Sequence, residues 1–326
     1  MVEAVDRVTL KIVTANTTDV TLRTEEDFKD KVVQPGPSSI SCLAEHGLAI
    51  LVRIDDGDRV NQYLYDMGGL NATIINNLKV LKINPQEFNR VIISHGHYDH
   101  WGGIIPLLSL LTPKTEFLFN AEVFSPRYFV SKELLGTEIA PADIDRLKKE
   151  QKLRELPKFP EKKVRRLALE NNIKFNYVNE AMKIAPGVFL SGKIEIDDEA
   201  ELTKGLLILK EGKMMCDTFS DELALYINVK DKGLIVLTGC GHAGIINTIK
   251  YGQKITGISQ IYAIIGGFHQ NWNTMEQIRS TIKILKAFNP ELICGLHCTG
   301  FKFVAEAMQQ MPLKTALAVV GTTIHL

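Results

Sequence analysis

The stretch VIISHGHYDHWGG, residues 91–103, places three histidines and one aspartate within six positions, directly after a β-branched apolar run. Side chains alternate along an extended chain, so His95 and His97 point to the same side and can share one metal ion. Asp99 and His100 follow in the turn, where they can reach a second ion, and a glycine pair permits a tight turn into the next helix. Imidazole with carboxylate suits zinc, iron or manganese better than calcium or magnesium. The stretch therefore predicts a centre of one or two divalent transition-metal ions, with zinc favoured.

Three of the five other histidines also end or follow predicted apolar strands, in VLTGCGHAG, IIGGFH and ICGLHCTG (His242, His269 and His297). The ends of strands are where sites assemble in an open α/β sheet, so we interpret these histidines as parts of the same site. Asp99 and His269 are interpreted as the catalytic residues. His269 is the one expected to transfer a proton, because a histidine pKa lies close to neutrality. A further metal ligand or a capping residue is the alternative for His269.

Three more residues are interpreted as ligands or as supports of the ligands. Asp66, in YLYDMGG, is a carboxylate that can hold the histidine cluster in place through hydrogen bonds. His46, in AEHG, suits a turn, such a support or a functional position. Cys240 suits either a thiolate ligand of lowered pKa or a small residue buried in a tight turn.

The segment Gly241, His242, Ala243 and Gly244 begins a predicted helix. The first N–H groups of a helix and the positive end of its dipole favour a phosphate, so this segment, together with His269, is the predicted substrate-binding site. The alternative is that this segment is an ordinary turn from a strand into a helix, because such turns have the same sequence pattern.

The order of predicted strands and helices divides the chain into two halves around an insertion. Residues 1–119 and 183–326 each alternate strands and helices, whereas residues 120–182 are charged and interrupted by prolines. Ten Lys or Arg oppose five acids between residues 143 and 166. We interpret 120–182 either as a solvated pair of surface helices or as a basic cap whose cations meet an anionic substrate.

The composition of the whole chain excludes several classes of protein. Lys and Arg total 38, as do Asp and Glu, so the net charge is zero and nothing indicates a nucleic-acid or membrane partner. No apolar run is long enough to span a bilayer, and no secretory signal is evident, so we expect a cytoplasmic protein. Five scattered cysteines agree with a reducing compartment. The sequence neither predicts nor excludes an oligomer.

The same motifs carry a resemblance to a known family. SHGHYDHWGG resembles the His-x-His-x-Asp-His motif of the metallo-β-lactamase superfamily, and YLYDMGG resembles the element that precedes it. AEHGLAILV, LTGCGHAGIINTI, YAIIGGFH and HCTG are similar to the branch named for the dihydropterin–ribofuranosylaminobenzene phosphate synthase of methanopterin biosynthesis. The resemblance implies an α/β fold, an αββα metallo-β-lactamase sandwich with an inserted cap region and a two-metal centre between its sheets.

The resemblance also implies which residues bind each ion. His95 and His97 would bind the first metal, and the second would be held by Asp99, His100 and His297. Two features depart from the family pattern. The usual Pro-Gly-His histidine is replaced by Pro-Gly-Val at residues 186–188, and Cys240 stands where the bridging aspartate is expected, with His242 as a substitute ligand.

Three functions remain open at this stage. The resemblance implies a metal-dependent transferase acting on a small phosphorylated, pterin-like substrate, which joins a dihydropterin diphosphate to an aminobenzene ribosyl phosphate. A hydrolase of a phosphodiester or an ester would use the same ligands. A non-catalytic ligand-binding protein on the same fold is the third alternative.

Overall fold

The first large sheet is built mainly from strands of the amino-terminal half. The computed structural model describes residues 3–135, 137, 139–198 and 202–326. Within them, an eight-stranded sheet runs in the spatial order β2 (Val32–Val33), β18 (Thr323–His325), β1 (Arg7–Thr14), β3 (Ala49–Asp56), β4 (Arg59–Tyr65), β5 (Arg90–Ile92), β6 (Glu116–Phe119) and β9 (Lys174–Tyr177). β3 and β4 form the hairpin that DDGD predicts, and Gly57 takes the left-handed φ of +58° in its turn.

The second large sheet contains the strands of the carboxy-terminal half. Its order in the described residues is β10 (Met182–Ala185), β11 (Val188–Leu190), β14 (Leu225–Val229), β15 (Gly233–Thr238), β16 (Ile261–Gly267) and β17 (Leu292–Leu296). β15, β16 and β17 are parallel, so their carboxyl ends meet at one edge of the sheet. The helices that connect them are α6 (Ile245–Thr256) and α7 (Met275–Phe288).

The two large sheets pack face to face, and helices cover their outer faces. Ile50 and Val52 of the first sheet share one buried core with Ile235 and Ile265 of the second. Helices α1 (Thr73–Val80), α2 (Tyr98–Trp101) and α3 (Ile104–Leu108) contribute to the core outside the first sheet. α6, α7 and α8 (Phe301–Gln310) cover the second sheet. This layering confirms the αββα sandwich expected from the sequence.

The chain between the two halves contributes to a third, smaller sheet. Its order in the described residues is β13 (Lys213–Cys216), β12 (Leu206–Lys210), β7 (Arg127–Val130) and β8 (Leu153–Glu155). Residues 120–182 thus supply β7 and β8, whereas residues 206–216 of the second half complete the sheet. The segment also contains β9 of the first large sheet, and the helices α4 (Ile144–Lys149) and α5 (Glu161–Glu170).

Many cations of this segment are paired with neighbouring acids. Of the ten between residues 143 and 166, all of which the structure describes, six form ion pairs: Arg146, Lys148, Lys152, Lys158, Arg165 and Arg166. Arg154 and Lys158 line a cavity that Tyr98, a residue of the HGHYDH stretch, also lines. None of the helices among the described residues combines the length and apolar character needed to cross a lipid bilayer.

Candidate metal centre

The predicted site residues meet where strands of both large sheets end. His95 follows β5, Asp66 follows β4, and the loops after β15, β16 and β17 carry His242, His269 and His297. A left-handed backbone conformation occurs at three of these positions, with φ of 61° at Asp66, 47° at His269 and 50° at His297. Such backbones are costly for residues other than glycine and cluster at functional sites.

The first donor group contains three buried imidazoles. His95 Nε2 and His97 Nδ1 are 3.0 Å apart, and His242 Nε2 lies 3.1 Å from the same His97 nitrogen. Nitrogen ligands of a tetrahedral zinc ion, bound at about 2.0–2.1 Å, lie about 3.3 Å from one another. The three nitrogens are therefore spaced like ligands of one ion.

The protonation of these histidines also fits a metal. Burial lowers the pKa of His95, His97 and His242 well below the ordinary value. The neighbouring histidines, with Arg127 at His95 and His97, lower it further, while Asp99 opposes the shift at His95 and His97. Neutral imidazoles keep the lone pair that binds a metal. His242 Nε2 thus lies with the donor atoms of His95 and His97 in the first group.

The second donor group brings together His46, Asp99 and His297. Asp99 Oδ2 lies 3.1 Å from His46 Nε2 and 3.2 Å from His297 Nε2. His297 Nε2 is buried, so its contact with Asp99 is shielded from water. Asn16 contacts the other nitrogen of both histidines, at 3.2 Å from His46 Nδ1 and 2.9 Å from His297 Nδ1. Its amide fixes both rings, a role that sequence analysis missed because Asn16 is distant in the chain.

His100 lies between the two donor groups. Its Nε2 is 3.2 Å from Cys240 Sγ and 4.0 Å from Asp99 Oδ2, while its Nδ1 is 2.6 Å from Asp66 Oδ2. Burial alone would lower the pKa of His100, but the charges of Asp66 and Asp99 outweigh it and raise that pKa to about 9. Asp66 also accepts hydrogen bonds from the Ser94 N–H and hydroxyl, so its carboxylate is held in place next to His100.

Two cysteines face the centre of the site. Cys240 lies within 4.8 Å of donor atoms in both groups, where the family usually places a carboxylate. Burial, followed by the hydrogen bond and charge of Cys298, raises the pKa of Cys240 well above its ordinary value. Burial also opposes ionisation of Cys298, yet Cys240, His297 and His269 together hold its pKa well below the usual range. In this structure Cys298, rather than Cys240, is the thiol that favours ionisation.

His269 lies beside the first donor group. Its ring centroid is 4.3 Å from that of His242, and its Nδ1 is buried without a hydrogen-bond partner among the described residues. The same side chain lines a cavity of about 340 Å³. His269 thus touches both the candidate ligands and a space that a substrate can fill.

The N–H groups that the sequence assigned to phosphate have another partner. His242 N donates to Glu222 Oε1 at 2.8 Å, and Ala243 N donates to Glu222 Oε2 at 2.7 Å. Gly244 N donates to the Gly241 carbonyl at 3.1 Å. A buried carboxylate therefore takes the position expected for a phosphate, and burial raises the pKa of Glu222 to about 7. Its hydrogen bonds hold the loop that carries His242.

A buried ion-pair network joins the small sheet to the histidine loop. Arg127 of β7 lies 2.7 Å from Asp217 Oδ2 and 2.7 Å from Asp221 Oδ1. Asp221 Oδ2 accepts the Gly96 N–H at 2.7 Å, between the first two histidines. Burial raises the pKa of Asp221 to about 6, although Arg127 opposes that shift. Sequence analysis did not find this network, since nothing in the chain pairs an arginine in the insertion with acids ninety residues later.

Fold and site together define an αββα sandwich with a nitrogen-rich donor cluster at the sheet edges. The sequence-family model of the metallo-β-lactamase superfamily matches residues 44–163 of the chain. The chain is 33% identical over 267 residues, 79% of this chain and 82% of the relative, to the 7,8-dihydropterin-6-methyl-4-(β-D-ribofuranosyl)-aminobenzene-5′-phosphate synthase of Methanocaldococcus jannaschii. The chain therefore belongs to the metallo-β-lactamase superfamily, whose fold implies a divalent metal.

Two further comparisons concern a second relative and the fold. An uncharacterised protein of the same Methanocaldococcus jannaschii strain is 26% identical over 82% of this chain and 89% of its own. A crystal structure described as a metal-dependent hydrolase of the β-lactamase superfamily superposes with a TM-score of 0.69 and 22% identity, covering 98% of both chains. This structural likeness supports the fold.

Proposed function

We propose that this protein is a metal-dependent transferase that joins a dihydropterin diphosphate to an aminobenzene ribosyl phosphate. The observation that carries the proposal is the 33% identity to the Methanocaldococcus jannaschii synthase over most of both chains. The two donor groups at the sheet edges support it, because they suit zinc or a similar divalent ion.

The donor groups assign the metal-binding residues of the proposed enzyme. His95, His97 and His242 would hold one ion, and Asp99, His297 and His46 a second, with His100 and Cys240 between them. Bound there, the metal would supply Lewis-acid stabilisation of the diphosphate leaving group. In contrast to the set implied by the resemblance, this arrangement assigns His46 to the second site and leaves His100 between the two sites.

The proposed reaction forms a carbon–nitrogen bond and breaks a carbon–oxygen bond. The aniline nitrogen attacks the pterin methylene carbon, and diphosphate leaves with the bonding electron pair. The nitrogen must then lose a proton, and His269 is the residue proposed to accept it. Its Nδ1 has no hydrogen-bond partner among the described residues, so that nitrogen is available for a proton.

The test is an activity assay with both substrates on the metal-loaded protein. We expect release of diphosphate that depends on the aminobenzene ribosyl phosphate and yields the coupled product by mass spectrometry. His95→Ala/His97→Ala should abolish it, whereas His325→Ala, a histidine at the end of β18, serves as the control. Diphosphate release without coupling, or turnover of phosphodiesters alone, would identify a hydrolase instead.

A further inference from the structure

Two cavities border residues of the candidate site, one at His269 and the other at His297 and Asn16. The cavity of about 340 Å³ lined by His269 is called the His269 cavity, and it adjoins the first donor group. The cavity of about 400 Å³ lined by His297 and Asn16 is called the His297 cavity, and it adjoins the second group. Asn271 lines the His297 cavity, whereas Trp272 lines the other, so one short loop separates them.

The His269 cavity combines exposed aromatic side chains with unpaired cations. Trp272 is 76% exposed and Phe129 is 42% exposed, although both are large apolar residues that border a cavity. Lys132 and Lys204 also line it, are exposed, and form no ion pair with another described residue. Aromatic faces bind rings by stacking, and lysines bind phosphate as point charges. This cavity suits an aromatic ring joined to a phosphate.

The His297 cavity has the opposite electrostatic character. Thr17, Thr18 and Asp19 line it, and its lining residues include no Lys or Arg. Hydrogen bonds from Thr21 lower the pKa of Asp19, which keeps its carboxylate ionised. A carboxylate repels phosphate but accepts hydrogen bonds from the N–H groups of an amide-rich heteroaromatic ring. Phe301, which is 79% exposed, supplies an apolar surface at the same cavity.

We propose that the two cavities bind two different substrates on either side of the metal centre. The His269 cavity takes the aminobenzene ring with its ribosyl phosphate, and the His297 cavity takes the heteroaromatic pterin ring. The diphosphate of the second substrate then lies towards the donor groups. This inference rests on the proposed two-substrate transfer and adds which surface recognises which substrate.

The experiment is a calorimetric titration of the metal-loaded protein with each substrate alone. Lys132→Gln/Lys204→Gln should weaken binding of the aminobenzene ribosyl phosphate by about tenfold and leave the dihydropterin diphosphate unchanged. Asp19→Asn/Phe301→Ala should do the reverse. The riboside without its phosphate should bind the wild type and the lysine variant equally. Lys283→Gln/Lys286→Gln, two exposed lysines of α7, is the matched control.

Tryptophan fluorescence gives a second measurement on the same cavity. The chain has two tryptophans, of which Trp101 is 2% exposed and Trp272 is 76% exposed. The aminobenzene ribosyl phosphate should quench the wild type, and Trp272→Phe should remove that quenching. Mutual competition of the two substrates, or equal weakening of both by the lysine variant, overturns the assignment of the cavities while the proposed function stands. A wild type that binds neither substrate overturns the proposed function, and the inference with it.

Discussion

At the scale of single residues, the site differs from the pattern of its superfamily in where its third imidazole comes from. The Pro-Gly turn at residues 186 and 187 is followed by valine, and Val188 is buried in a strand. His242 instead reaches His97 from the loop after β15. Glu222 fixes that loop through two backbone N–H groups, so the candidate ligand and its support come from the same region of the second half.

Replacing Glu222 should therefore weaken the metal site without abolishing the fold. In Glu222→Gln the amide of the new side chain faces a backbone N–H, one hydrogen bond is lost, and the loop shifts His242. We expect metal affinity, measured by competition with a chelator, to fall by about tenfold to a hundredfold. Glu306→Gln removes a surface carboxylate that pairs with Arg279 and should leave affinity unchanged. Equal affinities for the two variants would show that Glu222 does not position His242.

Replacing His269 should reduce the rate of turnover and leave the metal content unchanged. His269→Ala removes the proposed proton acceptor beside His242, and loss of a general base reduces turnover by about a hundredfold to ten-thousandfold. Elemental analysis should find the wild-type metal content. Loss of metal from this variant would make His269 a ligand, in agreement with the group that it forms with Cys240 and His242.

At the scale of elements, the sequence predicts the strands and helices better than their assembly. The hairpin of β3 and β4 and the helices α6 and α7 are evident from turn residues and from apolar periodicity, because these signals are local. The small sheet is not evident, since β7 pairs with β12, which lies far along the chain. The contacts of Asn16 and Arg127 with the site are equally non-local, whereas the HGHYDH ligands are adjacent in the chain.

Gly96 should be intolerant of a side chain because the small sheet packs against it. A Cβ at Gly96 would lie 2.0 Å from Arg127 Nη1 and 2.9 Å from backbone atoms of Val123. Gly96→Ala therefore displaces a buried guanidinium from its two acids, and overpacking of this kind costs about 1–3 kcal/mol. Urea unfolding measures the loss. Gly36→Ala is the control, because a Cβ there meets nothing within 4 Å. Equal stability of the two variants would contradict the packing described.

At the scale of the whole molecule, the two halves of the chain meet at the buried histidines, which links stability to pH. The lowered pKa values of His95, His97 and His242 mean that an unfolded chain binds protons at these positions before the folded one does. The folded state of the metal-free protein is therefore destabilised as pH falls below the ordinary histidine pKa of about 6.5. His100 acts in the opposite sense, because its pKa is raised to about 9. The stabilisation of the folded state by protonated His100 is complete below about pH 6.5 and is lost as pH rises through 9.

Replacing two of the three histidines should reduce the loss of folding stability at acidic pH. In chelator-treated protein, His97→Gln/His242→Gln removes two groups that resist protonation in the folded state. The free energy of unfolding should then fall less steeply between about pH 6.5 and pH 5 than in the wild type. The control is His325→Gln, which changes an exposed histidine. Identical pH profiles for the double variant and the wild type would contradict the protonation states assigned to the site.

The central claim is that His95, His97 and His242 bind one metal ion at the edge of the two sheets. Anomalous diffraction from crystals of the metal-loaded protein, recorded on both sides of the metal absorption edge, tests it most directly. We expect a peak about 2.0–2.1 Å from His95 Nε2, His97 Nδ1 and His242 Nε2. A peak that His242 does not ligate, or no peak beside these three nitrogens in a metal-loaded crystal, would contradict it.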